Sequence, residues 1–204
     1  MVETQLRRRG ISDQRVLSAL LRIPREEFVP PESRVEAYID GPVAIGWGQT
    51  ISQPYMTALM AELLELKGTE TVLEVGTGCG YHAAVLGTLA ARVISVEIIP
   101  RLVDTARGNL RRTGWGHNVV VLQADGSTGY AQCAPYDAIS VAAGAPGIPA
   151  ALLEQLDDPG LLVIPVGDRL DQELRVISKR EGRIRDRVAT QCRFVPLRGG
   201  EGWQ

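Results

Sequence analysis

The chain predicts an α/β fold, a doubly wound and mostly parallel sheet, on three observations. Apolar runs of strand length alternate with stretches of helical spacing through the middle of the chain, the order that builds βαβ units. One apolar run, Val72-Leu73-Glu74-Val75, stops abruptly at Gly76-Thr77-Gly78-Cys79-Gly80, which reads as strand, tight turn and helix start. Towards the end the apolar runs follow one another without a helix between them, which implies an antiparallel end to the sheet.

Taken in order, residues 12–21 carry Val16, Leu17, Leu20 and Leu21 as one stripe at helical spacing, with Ser12 as the expected N-cap. Pro24, Pro30 and Pro31 then break regularity, and Phe28-Val29 looks like an anchored extended segment. Residues 1–50 are therefore expected to form an N-terminal helical extension on a main unit, 51–204. Residues 55–66 read as a helix with Met56, Leu59, Met60, Leu63 and Leu64 on one face. The glycine loop opens a helix over 81–89, followed by a strand ending in Glu97 and an amphipathic helix over 100–112. Residues 119–122 predict a buried strand ending before Asp125-Gly126. Another strand over 136–141 runs into Ala142-Ala143-Gly144, where small side chains leave room. A short helix over 150–156, a strand over 160–166, and two strands joined near Glu181-Gly182 complete the set.

At 204 residues the chain can bury a substantial core. Its net charge of −2 gives no electrostatic case for a nucleic-acid or membrane-surface partner. No apolar run is long enough to span a bilayer and no apolar stretch follows Arg7-Arg8-Arg9 as a secretory signal would require, so a cytoplasmic setting is expected. Cys79, Cys133 and Cys192 are widely spaced and lack metal-ligand spacing, so neither a disulfide framework nor a metal site is expected.

Glycine is needed wherever the backbone takes positive φ or another group must come close, so a ligand is expected against the loop. A dinucleotide fingerprint wants its third glycine where Tyr81 stands, and fails there. Three acids, Glu74, Glu97 and Asp125, are expected at the carboxyl ends of neighbouring parallel strands, the rim where such sheets bind ligands. Glu97 is placed to accept both hydroxyls of a ribose, and Asp125 to accept from the amine of an adenine. An acidic rim suits a cationic nucleoside such as S-adenosylmethionine and repels a pyrophosphate. Each acid taken singly is equally compatible with a helix cap or a strand end. Ser52, two before Pro54, reads as an N-cap, or as a hydroxyl beside a helix N-terminus that would favour a carboxylate, and the two are compatible. His82 and His117 have no nucleophile beside them, and Cys79 reads as a small filler whose position could lower its pKa.

With these residues in view the chain closely resembles the protein-L-isoaspartate O-methyltransferases, over roughly 11–197. The carrying motifs are Gly48-Gln49-Thr50-Ile51-Ser52-Gln53-Pro54, Val72-Leu73-Glu74-Val75-Gly76-Thr77-Gly78, Ala134-Pro135-Tyr136-Asp137-Ala138-Ile139, Leu162-Val163-Ile164-Pro165-Val166-Gly167 and Arg193-Phe194-Val195-Pro196-Leu197. The resemblance implies a class I methyltransferase fold with Ser52 as the catalytic serine. It implies cofactor binding by Gln49, Thr50, Ile51, Glu74, Gly76, Thr77, Gly78, Gly80, Glu97, Asp125 and Gly126, and a substrate cleft at Ser52, Ala142, Ala143 and Val195. The implied cofactor is S-adenosyl-L-methionine, leaving as S-adenosyl-L-homocysteine, and the implied partners are age-damaged proteins bearing L-isoaspartyl residues, met by a monomer. Cys79, His82 and Ala142 depart from residues frequent in the family, and Ala142 borders the expected cleft.

Methyl transfer to a carboxylate needs no strong base, because a group with a pKa of about 4 is already ionised at neutral pH. The lack of a nucleophile and base pair in the sequence is consistent with that chemistry. A carboxyl methyltransferase acting on another peptide or a small acid is the alternative acceptor class.

Overall fold

The computed structural model describes residues 1–203, so Gln204 of the expected 51–204 unit lies outside the described residues. Short helical turns over 2–9 lead into α1 (Gln14–Arg22), whose N-cap is Asp13, accepting from the backbone N–H groups of Arg15 and Val16. Ser12 is not the cap; its backbone N–H and hydroxyl donate to Glu62 instead. A carboxylate one residue later is simply the better acceptor for the free N–H groups of the first turn. After further short turns, β1 (Val43–Gly46) and β2 (Gln49–Ile51) form an antiparallel hairpin, followed by α2 (Pro54–Leu63). A division at residue 50 therefore falls inside β2.

The main sheet alternates β3 (Thr71–Val75), α3 (Tyr81–Leu89), β4 (Arg92–Glu97), α4 (Pro100–Thr113) and β5 (Val119–Gln123). It continues with β6 (Tyr136–Val141), α5 (Ala150–Gln155), β7 (Leu156–Gly167), β8 (Gln172–Arg180) and β9 (Arg183–Cys192). The spatial order is β5-β4-β3-β6-β7-β8-β9, parallel through β7 and antiparallel at β8 and β9. This is the expected mixed sheet. Strand order reverses between β3 and β6, which opens a crevice at their carboxyl ends. Sequence order alone predicts β5 as a buried strand, but it is an edge, with Val120 41% exposed.

Two apolar clusters hold the sheet. One contains Leu17, Leu20, Leu86, Val93 and Leu102, and joins the N-terminal segment to α3 and α4. The other contains Leu73, Ile94, Ile139, Leu152 and Leu197 on the opposite face. That second face is thinly covered, because only the six-residue α5, short turns and the C-terminal segment lie over it. Full burial of a leucine contributes about 1.5–3 kcal/mol, so Leu6, Leu17 and Leu20 fasten the extension firmly to the sheet domain.

Candidate functional site

The loop after β3 adopts the conformations its glycines require. Gly76, Gly78 and Gly80 have φ of 91°, 55° and 88°, and Gly80 caps α3 in the left-handed region. Gly76 is held by its N–H bonding to the Val96 carbonyl at 2.9 Å, while the N–H of Ala142 reaches the Val75 carbonyl at 2.8 Å. These bonds fix the loop across β3, β4 and β6, at the point where the strand order reverses.

A recess opens on this loop, lined by Gln49, Thr50, Gly76, Gly78, Glu97, Gly126, Ala142, Ala143 and Val195 among others. Glu97 is buried at its wall, with one carboxylate oxygen accepting from Gly78 N–H and the other from Ile99 N–H, both at 2.9 Å. Each oxygen keeps a further acceptor direction, which suits a pair of adjacent hydroxyls. A Cβ on Gly76 would stand 3.7 Å from Ala142, in the space the recess uses. A Cβ on Gly126 would come within 2.5 Å of Val75 and 2.9 Å of Val96. The glycine at 126 is thus required by packing against those two valines, whereas Gly76, with the aligned Glu97 carboxylate nearby, fits a nucleoside that presses close to backbone.

Five of the expected cofactor residues stand elsewhere. Glu74 does not reach the rim; it lies inside β3, wholly buried, accepting from the Ser95 hydroxyl, which in turn pairs with Thr77 at 2.5 Å between hydroxyls. Two positions before the loop is still inside the sheet, and both faces there are covered. Burial, eased by the Ser95 bond and reinforced by nearby Glu97, pushes the Glu74 carboxyl up to about 8. The side chain of His82 lies 3.6 Å away, and burial pushes its pKa down to about 4. At neutral pH this is a contact between neutral groups, and Glu74 adds no negative charge to the rim. Thr77 and Ile51 are also buried, lining a smaller space that shares Thr50, Gly76, Gly78 and Ala142 with the recess, and Gly80 packs against Ala106, where a Cβ would come within 3.3 Å.

Asp125 is absent from the recess lining, although its neighbour Gly126 is present. Its carboxylate caps the following turn through Ser127 and accepts from Gly200 N–H at 2.8 Å. Burial would raise its pKa, but the bonds from Ser127 and Gly200 outweigh it and hold the group below the usual carboxylate range. The acid therefore ties the C-terminal segment down. Cys79 is buried too, and burial pushes its thiol up to about 11, the reverse of the lowering its helix-start position suggested.

Ser52 faces a second space, a cleft of about 690 Å³ lined also by Gln53, Tyr55, Thr190, Phe194 and Val195. Thr50, Ala142, Val195 and Pro196 line both cleft and recess, so the two spaces share one wall. Ala143, against expectation, lines the recess and not the cleft. Ser52 does not cap α2; Gln53 holds that position, without a side-chain bond, and Pro54 begins the helix. Its hydroxyl makes no hydrogen bond among the described residues, while its carbonyl accepts from Arg25 Nη2 at 2.7 Å. Arg25 went unmarked by sequence reasoning, as did Ile98 and Ile99 beside Glu97, for which the adjoining acid was the available signal.

Comparison with known proteins bears on what this arrangement serves. The family model described as protein-L-isoaspartate(D-aspartate) O-methyltransferase matches residues 1–202. A Marinobacter nauticus protein named protein-L-isoaspartate O-methyltransferase 2 is 56% identical, the alignment covering 100% of this chain and 93% of that one. A Methanopyrus kandleri protein-L-isoaspartate O-methyltransferase is 54% identical over 95% of this chain and 88% of its own. Among solved structures, a Plasmodium falciparum protein described as a putative protein-L-isoaspartate O-methyltransferase, in complex with S-adenosyl-L-homocysteine, superposes with a TM-score of 0.82. It is 29% identical and the match covers 97% of this chain and 96% of that one.

Proposed function

This chain belongs to the protein-L-isoaspartate(D-aspartate) O-methyltransferase family, and from that premise we propose that it methylates the free carboxylate of isoaspartyl residues in damaged proteins, with Ser52 orienting the acceptor. The observation that carries the reading is the shared wall: Thr50, Ala142, Val195 and Pro196 line both the recess beside the glycine loop and Glu97 and the cleft holding a free serine hydroxyl. Two reactants held on either side of that wall can meet across it.

S-adenosylmethionine, when bound, supplies an electrophilic methyl on a positively charged sulfur. Glu97 would hold its ribose hydroxyls, and Gly76 and Gly78 would let it lie against the backbone. Thr77 and Glu74 act from below, bracing the loop through Ser95. Ser52 donates its hydroxyl to the acceptor carboxylate, which arrives already ionised and needs no base. The neutral state of buried His82 is in keeping with that. Alignment of acceptor and donor contributes up to several kcal/mol of the barrier, and excluding water from the cleft adds to it, since solvent favours the separated charges over the transition state.

Among the described residues no helix is long and apolar enough to cross a membrane. The N-terminal segment contributes Gln49, Thr50 and, through Arg25, the placement of Ser52, so it serves the site as well as covering the sheet. Label transfer from methyl-labelled cofactor to an isoaspartyl peptide, run beside its aspartyl twin, tests the assignment. Equal labelling of the twin, or none of either, overturns it.

A further inference from the structure

The cleft in front of Ser52 is rimmed by Arg9, Arg169 and Arg193, and no carboxylate lines it. Arg9 is already engaged, ion-paired with Asp40 at 3.2 Å and stacked 3.7 Å over the Tyr55 ring. Arg169 and Arg193 have no ion pair among the described residues. Arg169 is steadied by the Trp203 ring, 5.2 Å from its guanidinium carbon, and Arg193 follows directly on β9, whose last residues Thr190, Gln191 and Cys192 form the cleft floor. Asp168, beside Arg169, turns its carboxylate back into its own turn to accept from the N–H groups of Leu170 and Asp171 at 2.7 and 2.8 Å. Glu173 stands one strand further in, opposite Gln191, and does not line the cleft.

From this charge arrangement, and resting on the acceptor cleft assigned above, we propose that the enzyme selects isoaspartyl segments flanked by acidic residues, which Arg169 and Arg193 pair with on either side of the reacting group. A chain with a net charge of −2 would on average repel acidic proteins, whereas the arginines at this cleft attract them locally. Guanidinium groups suit the task, because they stay charged and offer planar, paired donors to a carboxylate. Exposed pairs of this kind are individually weak, so the expected discrimination is severalfold.

The test is a peptide panel with one isoaspartyl core and flanks of glutamate, glutamine or lysine, assayed with the full chain and labelled cofactor. The glutamate peptide is expected to show a KM about three- to tenfold below the lysine peptide, with kcat alike. Raising NaCl to about 0.5 M should shrink that ratio, since exposed pairs are screened. In an Arg169→Gln, Arg193→Gln double variant the ratio should collapse towards one. Lysine-flanked peptides performing as well in the unaltered enzyme, or a ratio that survives in the variant, would overturn the proposal while leaving the methyltransferase assignment standing. Failure to label any isoaspartyl peptide would instead remove both.

Discussion

Arg25 donates from Nη2 to the carbonyl of Ser52 at 2.7 Å, out of a core in which its own side chain has no exposed surface. Its Nε donates to the Ala37 carbonyl at 2.6 Å, and its guanidinium lies 5.0 Å from the centre of the Tyr81 ring at the start of α3. Burial lowers its pKa from the ordinary value, opposed by Tyr81 and Cys79. One buried cation thus joins the N-terminal segment, the serine and the helix that follows the glycine loop.

Replacing Arg25 with alanine leaves one buried and one part-buried carbonyl, those of Ala37 and Ser52, without their donor. We expect a loss of about 2–4 kcal/mol in urea unfolding, and a fall in kcat beyond that seen for an equally destabilising core change such as Leu20→Ala. Arg25→Lys should recover part of the stability. If kcat fell no further than in Leu20→Ala, the residue would be purely structural.

Ser52→Ala removes a hydroxyl that lines the cleft and makes no hydrogen bond among the described residues. Turnover should fall about ten- to hundredfold, as for other donors that align a reacting anion, while S-adenosylhomocysteine binds within about twofold of the parent by calorimetry. Matching losses in both quantities would place the serine in cofactor binding.

Glu97→Ala should act on the other side of the wall. Removing the carboxylate frees Gly78 N–H and Ile99 N–H and takes away both acceptors, so cofactor affinity should drop about tenfold or more, with kcat at saturating cofactor affected less. Gly76→Ala, strained at φ 91°, is expected to weaken the same binding. Unchanged calorimetric affinity in both would mean that the recess holds something else.

Glu74 gives a pH signature with a definite sign. Its folded pKa, about 8, lies above the ordinary 4.5, so the folded state keeps a proton the unfolded chain has released. Stability from this group is full below about 4.5 and declines as pH rises towards 8. His82, lowered to about 4, acts oppositely but only below about 6.5, where the unfolded chain takes up a proton the folded one refuses. Between pH 6.5 and 8 the parent should therefore lose stability relative to Glu74→Gln, a neutral mimic of the same shape. Parallel melting curves across that range would rule out a buried protonated Glu74.

The glycine loop was legible because residue type and backbone conformation are coupled: positive φ at Gly76, Gly78 and Gly80 is what glycine alone adopts freely. The Gln49 to Ser52 run was legible as a motif; within it Gln49 lines the recess, Ser52 the cleft and Thr50 both. The three acids do not act as a set in the fold. Sequence places Glu74, Glu97 and Asp125 near strand ends, yet only Glu97 faces the recess, because a shift of one or two residues along a strand decides between a buried face, the rim and a cap.

By itself the sequence determined the alternation of strands and helices, the antiparallel end, the backbone shape of the loop and the family. Local signals suffice for those, since periodicity, glycine tolerance and motif spacing act over a few residues at a time. Tertiary structure alone decided that β5 is an edge, that Glu74 lies neutral beneath the loop beside His82, that Asp125 fastens Gly200, and that Arg25 holds Ser52. Each of those depends on which distant segment supplies the neighbouring atoms, and so on burial and partner geometry that no stretch of chain carries within itself.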